Sequence, residues 1–115
     1  MLKVNLEDTI SAISTATGNG GIGIVRMSGK EAIEIADKLF VSQKGKKLSE
    51  QKSHTIHFGT IEVDGKVVDE VLVSVMKAPN TYTREDVVEI NTHGGYRAVT
   101  AVLNATIKAG CRMAE

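Results

Sequence analysis

Apolar and polar residues alternate along several short stretches of the chain, and this alternation predicts β-strands. The clearest stretch is residues 86–92. There Val88 and Ile90 would face one side of a sheet, while Glu89 and Asn91 would face the other, because successive side chains of a strand point to opposite faces. The other predicted strands are apolar, β-branched runs that cover residues 8–15, 22–28, 54–63 and 67–76.

Two stretches repeat apolar residues at the spacing of an amphipathic helix. The first is residues 30–40, preceded by Ser28 and Glu31 at the spacing of a capping box. The second is residues 99–107, and Gly110 is suited to the position just after its end. The sequence therefore predicts two main helices.

These elements together predict an α+β fold, with a mixed or antiparallel sheet of about five strands and both helices on one face. Asp64-Gly65 joins the two longest strands and is typical of a tight hairpin. The lysine-rich stretch 41–52 holds few apolar residues, so we expect an exposed loop with solvated charges rather than a binding patch. Residues 1–115 are expected to form one domain, and the ending soon after the second helix suggests a piece of a longer protein.

Composition excludes several classes of protein. The 14 basic residues equal the 14 acidic ones, so the chain has no excess of positive charge that would indicate strong DNA or RNA binding by this chain alone. The sequence has neither a secretory pattern nor an apolar run near the ~18 residues of a membrane span. The single cysteine, Cys111, excludes an internal disulfide, fits a reducing cytoplasmic setting, and is interpreted as a small buried hydrophobe.

Residues 18–23 match the glycine pattern G-x-G-x-x-G of dinucleotide-binding loops. That function requires the loop to open a helix, whose N-terminus binds the pyrophosphate, but here the loop leads into a predicted strand. We therefore reject the dinucleotide interpretation. Two alternatives are left: a tight turn between strands, or a loop that lets a ligand or a second chain come close. A G-x-x-x-x-G-K-[ST] phosphate loop does not occur in the sequence.

Charged residues inside predicted strands are the main candidates for chemistry. Arg26 and Glu89 are each costly to bury unless paired, so they either form an ion pair with each other or each contact a ligand. His54 and His57 would point to opposite faces of one strand, which argues against a shared metal ion. His93 lies at a strand-to-helix turn, where it could contact a ligand or merely cap the helix.

Several blocks of this sequence, in order, resemble the N-terminal domain of the MnmE (TrmE) family of bacterial tRNA-modifying GTPases. The most specific block begins at Pro79 with P-N-T-Y-T and ends in H-G-G. One departure is Ala16-Thr17, where the family usually has proline, and it bears only on the stiffness of the loop. The matching blocks cover residues 8–13, 20–29, 69–72, 78–90 and 93–95.

The resemblance implies a homodimerising domain with the folate-binding fold of aminomethyltransferases. It would bind 5-formyl- or 5,10-methylene-tetrahydrofolate and would itself hold no catalytic residue and no metal. GTP, Mg and K would belong to a GTPase domain outside this chain. The full-length protein would act in the cytoplasm with tRNA and the flavin-dependent partner MnmG, away from DNA and membranes. Its product would be an aminomethyl or carboxymethylaminomethyl group on carbon 5 of the wobble uridine.

The resemblance assigns the folate contacts to Arg26 and Glu89. A carboxylate can accept from two adjacent N–H groups of a pterin ring, and a guanidinium suits a carboxylate or formyl oxygen. A stand-alone folate-dependent aminomethyltransferase and a purely structural dimerisation module are the alternative functions. Weaker candidates for the pocket are Gly20, Gly21, Asn80, Tyr82, Thr83 and His93.

Overall fold

Seven strands and two helices are formed by the residues that the computed structural model describes, which are residues 8–14, 23–79, 85–93 and 95–113. A short 3-10 turn at Leu48–Glu50 lies between the third and fourth strands. In chain order the elements are β1 (Ile10–Ile13), β2 (Ile24–Ser28), α1 (Ala32–Leu39), β3 (Phe40–Ser42), β4 (Thr55–Val63), β5 (Lys66–Met76), β6 (Val87–Thr92), α2 (Gly95–Lys108) and β7 (Arg112–Met113).

The strands form one sheet in the order β3-β4-β5-β6-β2-β1-β7. Every neighbouring pair is antiparallel except β1 and β7, which are parallel, so the sheet is mixed. The predicted α+β class is confirmed, but the predicted number of about five strands is too low. The two additional strands, β3 and β7, lie at the edges and have three and two residues, too few for alternation to reveal them.

Both helices pack on the same face of the sheet, as the sequence predicts. Val25 and Met27 of β2 and Val88 and Ile90 of β6 are fully buried there, in one hydrophobic cluster with the apolar faces of α1 and α2. Burial of this apolar surface is the main stabilisation of the domain. We call the opposite side of the sheet the open face. Its central side chains are those of Ala12, Ile24, Arg26, Ile56, Phe58, Leu72, Ser74, Glu89 and Asn91.

The start of α1 differs from the predicted capping box. Ser28 is the last residue of β2, and Glu31 stands at the N-cap without a side-chain cap bond. Instead, the hydroxyl oxygen Oγ1 of Thr9 accepts a hydrogen bond from the Glu31 backbone N–H at 2.9 Å. The capping group therefore comes from the segment before β1, which local spacing cannot reveal.

The β4–β5 hairpin is confirmed. Asp64 and Gly65 both have positive φ angles, 52° and 78°, as the two central residues of a type I′ turn require. This turn suits the right-handed twist of the two strands that it joins.

The loop between β3 and β4 is mostly exposed, but Leu48 within it is completely buried, which the sequence interpretation missed. The carboxylate of Asp37 on α1 accepts hydrogen bonds from the backbone N–H groups of Leu48, at 2.6 Å, and Ser49, at 3.1 Å. These two bonds bind the loop to α1 and hold the leucine in the core.

The last glycine of the G-x-G-x-x-G pattern, Gly23, leads directly into β2 rather than into a helix, which confirms that the loop is not a dinucleotide-binding turn. The Gly23 carbonyl accepts hydrogen bonds from both the backbone N–H and the hydroxyl of Thr92, at 2.8 and 2.9 Å. A Cβ atom at position 23 would lie 2.6 Å from Val99 of α2, so only glycine fits there. The preceding loop residues, 15–22, lie outside the described ranges.

Candidate functional site

Arg26 and Glu89 lie directly opposite each other at the centre of the open face. Their Cα atoms are paired in the antiparallel register of β2 and β6. The Nη1 atom of Arg26 is 3.6 Å from Oε2 of Glu89, and 41% and 29% of the two side chains are exposed. Of the two sequence alternatives, the ion pair is therefore present, and its exposure leaves both groups accessible to a ligand.

The geometry indicates that this ion pair contributes little to stability. Its 3.6 Å separation exceeds the 2.7–2.9 Å of a charge-assisted hydrogen bond. Exposed pairs of this kind contribute about 0–1 kcal/mol, because water screens the attraction and two long side chains lose freedom. The pair thus holds two opposite charges side by side on the surface without depending on their mutual contact.

Apolar and neutral residues surround the pair in two rows that cross the strands. In the row of the pair, Ser74 lies opposite Glu89 and Ile56 opposite Ser74. In the next row Leu72 lies between Phe58 and Asn91. Phe58, Leu72 and Ile56 are 45%, 47% and 65% exposed, so this part of the open face offers an apolar surface next to the two charges.

A recess of about 360 Å³ lies at the end of β6, and its lining includes Asn91, two residues after Glu89. His93 lies at this recess with an exposed side chain, and its backbone N–H donates to Oδ2 of Asp69 at 2.6 Å. The weaker candidate His93 is thus brought to the same part of the sheet as Glu89. The residues that line the recess are Phe58, Glu70, Val71, Leu72, Asn91, Thr92 and His93.

A larger depression of about 640 Å³ lies beside α1, away from the open face. Its lining includes three lysines and three acidic residues. Two of its carboxylates already accept hydrogen bonds from backbone N–H groups: Asp37 from those of Leu48 and Ser49, and Asp86 from that of Ala78. These groups are occupied in holding loops, so we place the candidate site on the open face.

Other residues that the sequence analysis considered are not brought to this site. His54 precedes β4 with a φ of 64°, and His57 lies in β4, where its Nε2 is 2.8 Å from the hydroxyl of Thr55. Across the described ranges, no group of three or more His, Cys, Asp or Glu side chains could hold a metal ion. Five weaker folate candidates fall outside the described residues, namely Gly20, Gly21, Asn80, Tyr82 and Thr83.

Cys111 is 5% exposed, as expected of a small buried hydrophobe. Burial raises the pKa of its thiol to about 11, against a smaller lowering by a hydrogen bond with Ser11. A nearby Glu31 charge adds slightly to the rise. The thiol is therefore protonated at neutral pH and is a poor nucleophile.

Sequence reasoning did not single out Asn91, Phe58 or Leu72 as site residues. For Asn91 a signal existed, because alternation in β6 places it on the face of Glu89. For Phe58 and Leu72 the strand register was required, and it is visible only in the fold. Neither helix of the described part of the chain is long and apolar enough to cross a membrane.

Comparison with known proteins gives consistent relationships. The family described as "GTP-binding protein TrmE N-terminus" matches residues 9–115. Proteins named tRNA modification GTPase MnmE are similar: that of Geobacillus thermodenitrificans is 60% identical over 111 residues, and that of Bacillus subtilis 57% over 110. Each alignment covers 94% of this chain and 24% of the relative.

The relative from Listeria welshimeri, also named tRNA modification GTPase MnmE, is 56% identical over 108 residues, which is 94% of this chain and 23% of the relative. The chain thus spans about a quarter of the length of these curated relatives. Because the family match extends over nearly all of the sequence, the chain belongs to the family of the MnmE (TrmE) N-terminal domain.

Proposed function

We propose that this domain binds a tetrahydrofolate derivative, 5-formyl- or 5,10-methylene-tetrahydrofolate, on its open face. The observation that carries the proposal is the Arg26–Glu89 pair, which is accessible and bordered by exposed apolar side chains. A ligand with a planar polar ring and an anionic tail matches such a surface, because polar groups fix its orientation while apolar groups exclude water.

In this proposal Glu89 accepts from two N–H groups on the edge of the pterin ring. Its Oε2 atom lies 3.6 Å from Nη1 of Arg26, too far for a strong hydrogen bond, so both carboxylate oxygens can accept from the ligand. Arg26 holds the carboxylate in place and contacts a carboxylate or formyl oxygen of the folate. The folate would supply the one-carbon unit, and the protein would position it.

We further propose that the domain serves a larger GTPase that modifies carbon 5 of the wobble uridine in tRNA together with MnmG. The names of the relatives support the general class, since they are tRNA modification GTPases. GTP, Mg and K would bind in the remaining three quarters of such a protein. Against a stand-alone aminomethyltransferase, the same names favour a domain of a GTPase.

Homodimerisation is the second part of the proposal. Exposed Ile56, Phe58 and Leu72 on the open face are the kind of apolar surface that a second copy could bury. Sedimentation equilibrium at tens of micromolar chain, a range typical of weak self-association, would show a dimer. A strict monomer would count against this part and leave the folate proposal standing.

A titration of the chain with 5-formyl-tetrahydrofolate tests the main proposal. Glu89→Gln keeps the shape but replaces one acceptor by a donor that would face a ligand N–H. Loss of a charge-assisted bond of about 1.5–3 kcal/mol corresponds to an affinity about tenfold to hundredfold lower. Glu34→Gln, an exposed glutamate on α1, is the matched control and should bind as the wild type.

The melting temperature of each variant is measured in the same samples. Unchanged folate affinity with a lower melting temperature in Glu89→Gln would show that the pair is structural and that the proposed site is wrong. Absence of binding to the wild-type chain would favour the purely structural dimerisation module.

A further inference from the structure

Asn91 is the polar side chain that follows Glu89 on the same face of β6. Residues two apart on a strand are separated by roughly 7 Å along the strand and point the same way. Both side chains are half-buried, and Asn91 lies opposite Ile24 on one side and Leu72 on the other. One planar ligand that contacts Glu89 is therefore within reach of Asn91.

The amide group of Asn91 is only partly engaged. Its Nδ2 atom donates to the Leu72 carbonyl at 3.3 Å, a long hydrogen bond. An amide NH₂ carries two donors, so one N–H is left for a ligand after this bond is made. The bond to Leu72 also limits rotation of the amide and holds it at the edge of the recess.

Apolar side chains lie beside Asn91. Phe58 and Leu72 form apolar walls of the same recess, which a bound ring would close. A bound ring would shield a hydrogen bond at this place from water, and a partner left unpaired there would then be more costly.

We infer that Asn91 is a specificity-determining residue, whose amide N–H donates to a ring carbonyl adjacent to the N–H groups that Glu89 accepts. The inference rests on the proposed function, because the pterin ring of folate presents N–H donors and a carbonyl side by side on one edge. On one face of β6, the acceptor Glu89 would contact the N–H donors of the pterin edge, and the donor Asn91 would contact the adjacent carbonyl. Asn91 thus distinguishes a 4-oxo ring from a 4-amino ring.

The test compares 5-formyl-tetrahydrofolate with its 4-amino-4-deoxy counterpart, which has an amino group in place of the ring carbonyl and also lacks the adjacent N3–H. The loss at N3–H affects the Glu89 contact in every variant alike, so the role of Asn91 is measured by how its substitution changes the ratio of the two affinities. Their affinities are measured by calorimetry for the wild-type chain, Asn91→Ala and Asn91→Asp. Asn104→Ala, an exposed asparagine on α2, is the matched control. Circular dichroism spectra establish that each variant is folded before its affinity is compared.

We expect the wild type and Asn104→Ala to bind the 4-oxo ligand more tightly than the 4-amino ligand, with the same ratio of affinities in both proteins. Loss of one neutral hydrogen bond in Asn91→Ala should reduce that preference about three- to tenfold. The carboxylate in Asn91→Asp can only accept hydrogen bonds, so this variant should bind the 4-oxo ligand still more weakly than Asn91→Ala does. Its affinity for the 4-amino ligand should be unchanged. These changes in the ratio of affinities would not arise from a merely structural role.

Two other outcomes overturn the inference, and they are distinguishable. If the wild type binds the 4-oxo ligand but both Asn91 variants keep its preference, Asn91 does not read the ring and the proposed folate site stands. If the folded wild type binds neither ligand, the proposed function and this inference fail together.

Discussion

The strength of the Arg26–Glu89 pair can be measured by a double-mutant cycle of Arg26→Gln, Glu89→Gln and the double variant. At their 3.6 Å separation, two unit charges attract by about 1 kcal/mol in water and about 5 kcal/mol at an effective dielectric constant of 20. The exposed fractions of 41% and 29% place the pair near the aqueous limit. We therefore expect a coupling free energy of about 0.2–1 kcal/mol.

Urea denaturation of the four proteins gives the free energies of unfolding from which the coupling is calculated. The cycle is run at 0.1 M and at 1 M salt, where the screening length falls from about 10 Å to about 3 Å. An exposed pair should couple less strongly at the higher salt concentration. The denaturant slopes of the four proteins should agree, because none of these changes alters the buried core.

A coupling above about 2 kcal/mol that persists at 1 M salt would refute this reasoning, since such values belong to desolvated pairs. Arg26 and Glu89 would then act mainly as a structural pair, and a ligand would have to break a strong contact before binding. A weak, salt-sensitive coupling instead means that the two charges can be redirected to a ligand at low cost. The cycle thus measures how available the candidate site is.

The core and the cysteine give two further predictions. Leu48→Ala should lower the free energy of unfolding by about 2–5 kcal/mol, as loss of a fully buried leucine does. The control Val41→Ala, at an exposed position nearby, should change the free energy of unfolding by no more than about 0.5 kcal/mol. Equal effects of the two substitutions in urea denaturation would contradict the observed burial of Leu48. The pKa of Cys111 rises from its ordinary 9.0 to about 11 on folding, so the unfolded chain loses the thiol proton first. The contribution of this thiol to stability is therefore constant well below pH 9 and falls between pH 9 and 11. Urea denaturation of wild type and Cys111→Ala at pH 8 and pH 10.5 should show the smaller loss in the variant, and equal losses would contradict a raised pKa.

The elements with long, regular patterns could be predicted from the sequence. Alternation identified β6, the dipeptide Asp64-Gly65 identified the β4–β5 hairpin, and helical spacing identified α1 and α2 to within a few residues. The features that the sequence did not predict depend on hydrogen bonds between residues that are distant in sequence. Leu48 is held by Asp37 on α1, and the start of α1 is capped from the segment before β1.

The site was predictable in its charges but not in its geometry. Arg26 and Glu89 stood out because each is a charge in an apolar strand, and their mutual pairing was one of two open alternatives. Only the register of β2 against β6 shows that the two side chains pair, since a slip of one residue would turn either Arg26 or Glu89 to the opposite face. The role of Phe58 and Leu72 depends in the same way on the register of β4 against β5.

The position of β6 between β5 and β2 has a consequence for synthesis on the ribosome. In the described part of the sheet, β6 alone joins the β3–β4–β5 group to the β2–β1 hairpin. Both groups emerge before β6, so each exposes an unpaired strand edge for roughly seconds at the usual 5–20 residues per second of translation. Glu89 lies in β6, so the Arg26–Glu89 pair can form in a nascent chain only after this joining strand has been made.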